Sequence, residues 1–556
     1  MDYQTLKERL SSALSGDVST DPADIKTASR DMSIFERTPA LVVFPKDNTD
    51  VIRLVQEVAA AKKAGMDVSL TGRSAGTDMS GGPLSYSIVV SFTKYMNHLI
   101  EVGDTYAITE PGVFYRDFEK ATLAKGLILP CYPASRELAA MGGIVNNNAG
   151  GERTLKYGQT ERYIEEVSVV LADGTETVFK ALTKEEVEEK KKLTTLEGAI
   201  YTQMDELLTT YADTIETHRP KVSKNAAGYA LWNIRDPKTG GMNLAKLICG
   251  SQGTLGLLTK AKIALVPDEP HRTLLAIFVN DTTILPEIVS RILPHNPESF
   301  ESYDNHTFSL ALKFLPEMLS TLGIRKAVSL GIRFIPDFFV AILGGAPKMV
   351  LLAEFSEATP EKALTTARAA RESLTGLPVS TKLARNEAAA AKYWMVRRES
   401  FRLLRKNLRG LSAAPFIDDF VVPPSSYTSF LPKLDALLGE YKGRFIYTIA
   451  GHIGNGNFHI IPLMDLGKPE VRDVILELSP RVYDLVIAHG GSTTGEHNDG
   501  IIRTPFLAKL FGKEITDLFT KTEHIFDPDD IFNPGKKVGG TLDDVEHDML
   551  HTSKKP

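Results

Sequence analysis

The chain has 556 residues, a formal net charge of −6, 43% hydrophobic residues and 24% charged residues. That length exceeds one ordinary core, so two or three domains are expected, and the composition is that of a globular protein, neither disordered nor fibrous. The acidic balance argues against a nucleic-acid binder, and two cysteines outside any CxxC pattern, Cys131 and Cys249, argue against zinc ribbons, iron–sulfur clusters and disulfide scaffolds.

"MDYQTLKERL" lacks the basic-then-apolar pattern of an export signal, so none is expected. "ALVVFP" (Ala40–Pro45) predicts a strand. "DNTDVIRLVQEVAAAKKAG" (Asp47–Gly65) predicts an amphipathic helix that opens on an Asn48/Thr49 cap and closes on Gly65. "MDVSLTGRSAGTDMSGG" (Met66–Gly82) reads as a strand running into a glycine-rich loop, "YSIVVSF" as another strand, and "HLIEVGDTYAITEPGVFY" as a hairpin about Gly103-Asp104. "YRDFEKATLAKGL" is helical again. "TKEEVEEKKK" (Thr183–Lys192) is a solvated helix or loop. No regular βαβ repeat runs through this first part, which points to α+β rather than a doubly wound sheet.

Beyond "ALVPDEPHR" (Ala264–Arg272) the texture changes. "TLLAIFV", "MVLLAEF" and "FIYTIAGHIG" read as strands separated by helices such as "PEKALTTARAARESL", which predicts a second α+β domain with an apolar insert at about 307–347. Within the insert, "AVSLGIRFIPDFFVAILGGA" (Ala327–Ala346) is broken by Arg333, Pro336 and Asp337, so it is too short an uncharged run for a membrane span.

Two loops carry glycine where a backbone approaches an anion closely: "GRSAGTDMSGG" (Gly72–Gly82) and "GGIVNNNAGGERTLKYG" (Gly142–Gly158). Neither fits the Rossmann or Walker pattern. Tight turns explain one such loop well and two of them less well. A third cluster, "GSQGTLG" (Gly250–Gly256), says by itself only that the chain turns.

"GHIGNGNFHI" (Gly451–Ile460) sets His452 and His459 seven residues apart. Its glycines disfavour a helix, and a straight strand sends the two rings to opposite faces, but a turn at "GNGN" brings both to one side. Forty residues on, "GGSTTGEHNDG" (Gly490–Gly500) adds Glu496 and His497. Two imidazoles and a carboxylate make a three-ligand set with an open position, and His497 is left over as a base. From the residues alone, a metal site and ordinary satisfied histidines stand level.

The ordered motifs "FPKDNTDVIRLV", "GRSAGTDMSGG", "PASRELAAMGGIVNNNAGGERTLKYG", "VSVVLADG", "KNAAGYAL" and "LICGSQGTLGLLTKAKIALVP" resemble the flavin-binding half of the vanillyl-alcohol oxidase / p-cresol methylhydroxylase superfamily. "YWMVRRES", "GHIGNGNFH", "GGSTTGEHNDG" and "DPDDIFNPGKK" resemble its FAD-linked D-2-hydroxyacid dehydrogenases. The resemblance spans roughly Ala40 to Val538 and is weakest over the insert. It implies an α+β fold: a PCMH-type FAD-binding domain of two α+β subdomains over 1–268, a cap domain with an antiparallel sheet over 269–500, and a helical segment over 501–556 packing back on the FAD domain.

The resemblance further implies that Gly72, Arg73, Ser74, Ala75, Gly76 and Thr77 hold the FAD pyrophosphate. Pro133, Ser135, Gly142, Gly143, Asn146, Ala149, Gly150, Gly151 and Tyr157 would lie along the FAD, with Gly253 and Asn533 beside it. The first loop lacks the histidine through which some relatives attach the flavin, so FAD is expected to be non-covalent. By the same resemblance His452, His459 and Glu496 bind a divalent metal, Zn or Mn, and His497 is the base. Arg397, after Trp394, would grip the substrate carboxylate; a basic helix face including Arg398 is the plainer alternative.

The implied reaction is FAD-dependent oxidation of a D-2-hydroxyacid, with a quinone, cytochrome or electron-transfer flavoprotein as acceptor. The implied setting is cytoplasmic, with a peripheral membrane or redox-partner contact through Phe334–Leu343. Relatives acting on D-2-hydroxyglutarate tend to carry a Lys where Ile417 stands and an Asn where Ile461 stands, which points toward D-lactate or a similar monocarboxylate. Asn455 replaces the usual Asp of "GDGN". The competing expectations are D-2-hydroxyglutarate or glycolate dehydrogenation, an O₂-using alcohol or sugar oxidase, a metallohydrolase, and a flavin-binding protein without turnover.

Overall fold

The computed structural model describes residues 2–305, 307, 347–384, 386, 388–397 and 411–551. The apolar insert, apart from its end positions Thr307 and Pro347, lies outside the described residues, as do Phe334–Leu343 and Arg398. Among the described residues no helix is long and apolar enough to cross a membrane.

The fold is α+β, built on three larger sheets. Strands β1 (Asp17–Ser19), β2 (Leu41–Phe44), β3 (Leu70–Arg73) and β4 (Ile88–Ser91) form the first, in the order β1-β2-β4-β3, with β4 parallel to both β2 and β3. The helix Asn48–Lys63 lays Val51, Leu54, Val55 and Val58 against Leu70, Ile88 and Val90 of this sheet. Its cap differs from the expected one. Asp47 is the extended residue before the first turn, and its carboxylate accepts from the Asp50 N–H, so Asn48 is already helical.

The second sheet joins β5 (Leu99–Val102), β6 (Tyr106–Thr109), β7 (Ile164–Val170), β8 (Glu176–Leu182), β9 (Met242–Asn243) and β10 (Leu257–Ala264), all antiparallel, in the order β9-β8-β7-β10-β6-β5. Its core also takes Phe511, Phe519 and Phe526 from the helix Leu507–Phe526, so the end of the chain returns to this half. "TKEEVEEKKK" is a surface helix (Lys184–Lys191) opened by a Thr183/Glu186 capping box.

The third sheet is antiparallel throughout. It contains β11 (His271–Val279), β12 (Ser299–Asp304), β13 (Met349–Glu357), β14 (Val379–Ala384), β15 (Phe420–Val421), β16 (Ile449–His452) and β17 (Asn457–Ile460), in the order β14-β11-β13-β12-β16-β17-β15. The helices Pro360–Ser373 and Pro469–Ala488 contribute to its apolar core. In the β16–β17 hairpin Ala450 faces His459 and His452 faces Asn457. Cross-strand partners share a face and residues two apart do too, so both imidazoles lie on one side of the sheet. The turn tolerates no side chain at Gly456: its φ is +76°, and a Cβ there would lie 1.8 Å from the Val422 carbonyl oxygen.

Candidate active site

A cavity of about 640 Å³ reaches from the loop after β3 to the β16–β17 hairpin. Gly72–Thr77 line it without a break, together with Pro133, Ser135, Gly142, Gly143, Asn146, Ala149, Gly150 and Gly253. The far end is made by Glu301, Arg397, Asp418, His452, His459, Ile461, Glu496 and His497. Three of the expected flavin residues stand elsewhere. Gly151 sits against the Tyr132 carbonyl, 2.1 Å from where its Cβ would be, and Tyr157 packs against the core of the second sheet. Asn533 is wholly buried: it donates to the Gly82 and Gln252 carbonyls at 3.0 and 2.7 Å and accepts from Thr71, tying the glycine loops together from behind.

The long arm of the cavity has the makings of a dinucleotide cradle. Ser74 and Gly142 approach so closely that a Cβ on Gly142 would lie 2.6 Å from the Ser74 hydroxyl. At Gly253 a Cβ would meet nothing within 4 Å, and its φ of +72° suits glycine. Arg73 is buried and donates through one terminal nitrogen to the Arg30 carbonyl at 2.7 Å, while its other, Nη1, has no partner among the described residues. A buried cationic donor beside a glycine loop suits a phosphate.

At the other end, His452, His459 and Glu496 are all buried, with ligand atoms within 4.8 Å of one another. Their supporting contacts are specific. Glu301 takes His452 Nδ1 at 2.5 Å, and Asp418 takes His459 Nδ1 at 3.0 Å. The Nε2 atoms then face Glu496, at 3.2 Å from Oε1 for His452 and 3.9 Å from Oε2 for His459. Lys224, fully buried, donates from Nζ to Glu496 Oε1 and, at 3.3 Å, to Asn457 Oδ1. Arg397 Nε and Nη2 meet Glu301 Oε2 at 3.2 and 3.1 Å, so one carboxylate joins the arginine to His452.

The turn carrying Glu496 and His497 is organised by Asp419. This residue is buried and has φ of +69°, and its Oδ2 accepts from the Thr494 hydroxyl and from the N–H groups of Gly495, Glu496 and His497 at 2.5–3.0 Å. His497 Nδ1 lies 2.8 Å from Asp418 Oδ2, close as an ion pair but off hydrogen-bond direction.

Charge follows from these contacts. Burial by itself would raise the Glu496 carboxyl, but Lys224 and the two imidazoles outweigh it and hold the group well below the usual carboxylate range. Burial disfavours imidazolium at His497, yet Asp419 and Asp418 prevail and lift it to about 9. Asp418 is likewise pulled down against burial by His497 and His459.

Four residues here escaped the motif reading: Lys224, Glu301, Asp418 and Asp419. Lys224 lies in "KNAAGYAL", where nothing local marks it for a role. Glu301 in "SFESYD" and the paired acids of "FIDDFVVP" are charges embedded in apolar strand sequence, which is the signal that could have marked them. Two departures take new form. Ile417 is buried in the apolar core of the third sheet, and the residue that reaches the cavity beside it is Asp418. Asn455 stays in the hairpin turn, donating to the Ser223 hydroxyl at 3.1 Å, and does not line the cavity.

Comparison with known proteins bears on this geometry. Residues 39–180 match the FAD binding domain, and residues 269–537 match the C-terminal domain of FAD linked oxidases. The chain is 26% identical over 531 residues to a D-2-hydroxyglutarate dehydrogenase of Pseudomonas putida, covering 94% of this chain and 51% of that protein. It thus spans about half the length of the first curated relatives it matches. It is 28% identical over 512 residues to a D-lactate dehydrogenase of Archaeoglobus fulgidus, covering 91% and 95% of the two chains. Among solved structures, the 4-ethylphenol oxidase from Gulosibacter chungangensis shares the fold, with a TM-score of 0.66, 17% identity and 97% of each chain covered.

Proposed function

Because this chain belongs to the FAD-linked oxidases, with their FAD-binding domain followed by their C-terminal domain, we propose that it oxidises a D-2-hydroxyacid to the 2-oxoacid, most favourably D-lactate or a similar monocarboxylate. The observation that carries this is the paired support of the imidazoles. Carboxylates on both Nδ1 atoms leave two Nε2 lone pairs and the Glu496 carboxylate converging in a cavity shared with the glycine loops. Carboxylate-backed histidines are the arrangement in which imidazole ligates a metal.

His452, His459 and Glu496 would hold a divalent cation, and the loops at Gly72–Thr77 and Pro133–Gly150 would hold FAD. Bound FAD supplies the hydride acceptor, and a bound cation supplies a Lewis acid for the substrate oxygens and lowers the proton affinity of the nearby His497. Arg397 orients the substrate carboxylate while Glu301 fixes its guanidinium. His497 takes the hydroxyl proton, and Asp418 and Asp419 stabilise the imidazolium that results.

The lining favours a small apolar substituent on the substrate. Ile461 is apolar, and Asp418, Glu301 and Glu152 would repel a second carboxylate. Electrons would pass on to a quinone, a cytochrome or an electron-transfer flavoprotein. The test is anaerobic mixing of the yellow protein with D-lactate, L-lactate, glycolate and D-2-hydroxyglutarate. Flavin bleaching strongest with D-lactate is expected, and bleaching by none of them refutes the proposal. Preferential bleaching by D-2-hydroxyglutarate refutes the monocarboxylate part.

A further inference from the structure

We propose that Asp418 is a positioning residue whose single carboxylate sets the ring orientation and tautomer of both His459 and His497. It rests on the function proposed above, since it assigns those two rings the nitrogens they need for it. Oδ1 receives His459 Nδ1 at 3.0 Å, and Oδ2 lies 2.8 Å from His497 Nδ1. The two rings stand 5.2 Å apart between centroids and are tilted by only 32°, so they flank the carboxylate side by side. Asp418 is 0% exposed, and among the described residues Oδ2 accepts no hydrogen bond, so His497 Nδ1 meets it as an ion-pair contact.

The surroundings hold that carboxylate still. The Asp418 carbonyl accepts from Nη2 of the fully buried Arg503 at 2.8 Å, and Arg503 Nη1 donates to the Asn498 carbonyl at 3.0 Å. The same guanidinium therefore links the segment just before β15, which carries Asp418, to the turn that carries His497. Asp419, the next residue, has left-handed backbone, and the two adjacent acids serve different partners. Asp419 collects the N–H groups of the 495–497 turn, and Asp418 collects the imidazoles.

A carboxylate only accepts, so His459, bonded to Oδ1, places its proton on Nδ1, and the Oδ2 anion 2.8 Å from His497 Nδ1 favours the proton on that nitrogen as well. His459 then offers the Nε2 lone pair to the site shared with Glu496 and His452. In its neutral form His497 keeps its Nε2 lone pair as the nitrogen left for the cavity. An amide in this position has one accepting and one donating end, and must present N–H to one of the two rings. Whichever way it turns, one imidazole is driven to the wrong tautomer.

The test is D418N, isosteric with the native side chain, compared with native holoenzyme in anaerobic single-turnover flavin reduction by D-lactate. Metal affinity is measured by equilibrium dialysis. Wrong-tautomer substitutions of this kind cost about 10⁴-fold in serine-protease triads. A fall of about 100-fold or more in the reduction rate is expected if the amide turns its N–H to His497. At least tenfold weaker metal binding is expected if it turns to His459. FAD content stays native in both cases.

The double variant D418N/H497Q separates positioning from general damage. If Asp418 acts through His497, D418N costs less than about threefold in the H497Q background, whereas a merely structural defect costs the same in both. Flavin reduction and metal affinity in D418N within threefold of native would overturn the proposal, as would a loss of rate that is equal in the two backgrounds while metal affinity stays native. A native protein that no 2-hydroxyacid reduces would overturn the functional assignment itself.

Discussion

Replacing Glu301 by glutamine perturbs both ends of the candidate site while hardly changing its volume. The native carboxylate is 1% exposed and holds His452 Nδ1 at 2.5 Å with one oxygen and Arg397 at 3.1–3.2 Å with the other. Both partners are donors. A glutamine amide has one oxygen for two donors, so its NH₂ must face either His452 or Arg397. Loss of a carboxylate behind a ligating histidine costs about 10–100-fold in metal affinity, or about 1.4–2.7 kcal/mol. Removing the anion from a buried charge pair costs about 3–5 kcal/mol when nothing replaces it, so the neutral isostere belongs toward the lower end. Metal affinity by equilibrium dialysis and kcat/KM with an artificial electron acceptor measure the effect. Metal binding at least tenfold weaker and kcat/KM down by about 100-fold are expected. Native values for both in E301Q would refute the claim that Glu301 couples the arginine to the histidine.

Two further predictions follow from buried charge. Lys224→Met removes the cation on Glu496, so the apparent Tm should fall more in metal-stripped protein than in metal-loaded protein, where a bound ion supplies the missing charge; equal shifts would contradict this. Burial, with Asp530 and Asp527, lifts the Glu523 carboxyl from 4.5 to about 9. Its folded pKa thus lies above its unfolded one, so the group costs stability progressively as pH rises from about 4.5 to about 9, by on the order of a few kcal/mol at pH 8. Glu523→Gln should leave Tm unchanged near pH 4.5 and raise it at pH 8, and an unchanged Tm at pH 8 would refute the assignment.

Elements with a strong local pattern were legible in the sequence. The helix Asn48–Lys63, the hairpin of β5 and β6, and the strands β11 and β13 all stand where apolar period and turn residues put them. The GNGN turn likewise predicted that His452 and His459 share a side, and the antiparallel register places them there. The supports of those rings were not legible. Glu301 lies 151 residues from His452, and Lys224 lies 272 residues from Glu496. Only the sheet order β12-β16-β17-β15 and the return of the chain between the two halves bring such residues together. The cap at Asp47 was missed for a smaller reason: Asp47, Asn48 and Thr49 are all competent caps, and the backbone angle at Asp47 chooses among them.

The proposed reaction requires that His452, His459 and Glu496 hold a cation during substrate oxidation. The direct measurement is anaerobic flavin reduction by D-lactate before chelation, after removal of bound metal, and after restoring zinc or manganese. Bleaching that disappears with the metal and returns with it, at one equivalent per chain and with FAD retained throughout, is the predicted result. Bleaching at the native rate in protein shown by elemental analysis to be metal-free would contradict it.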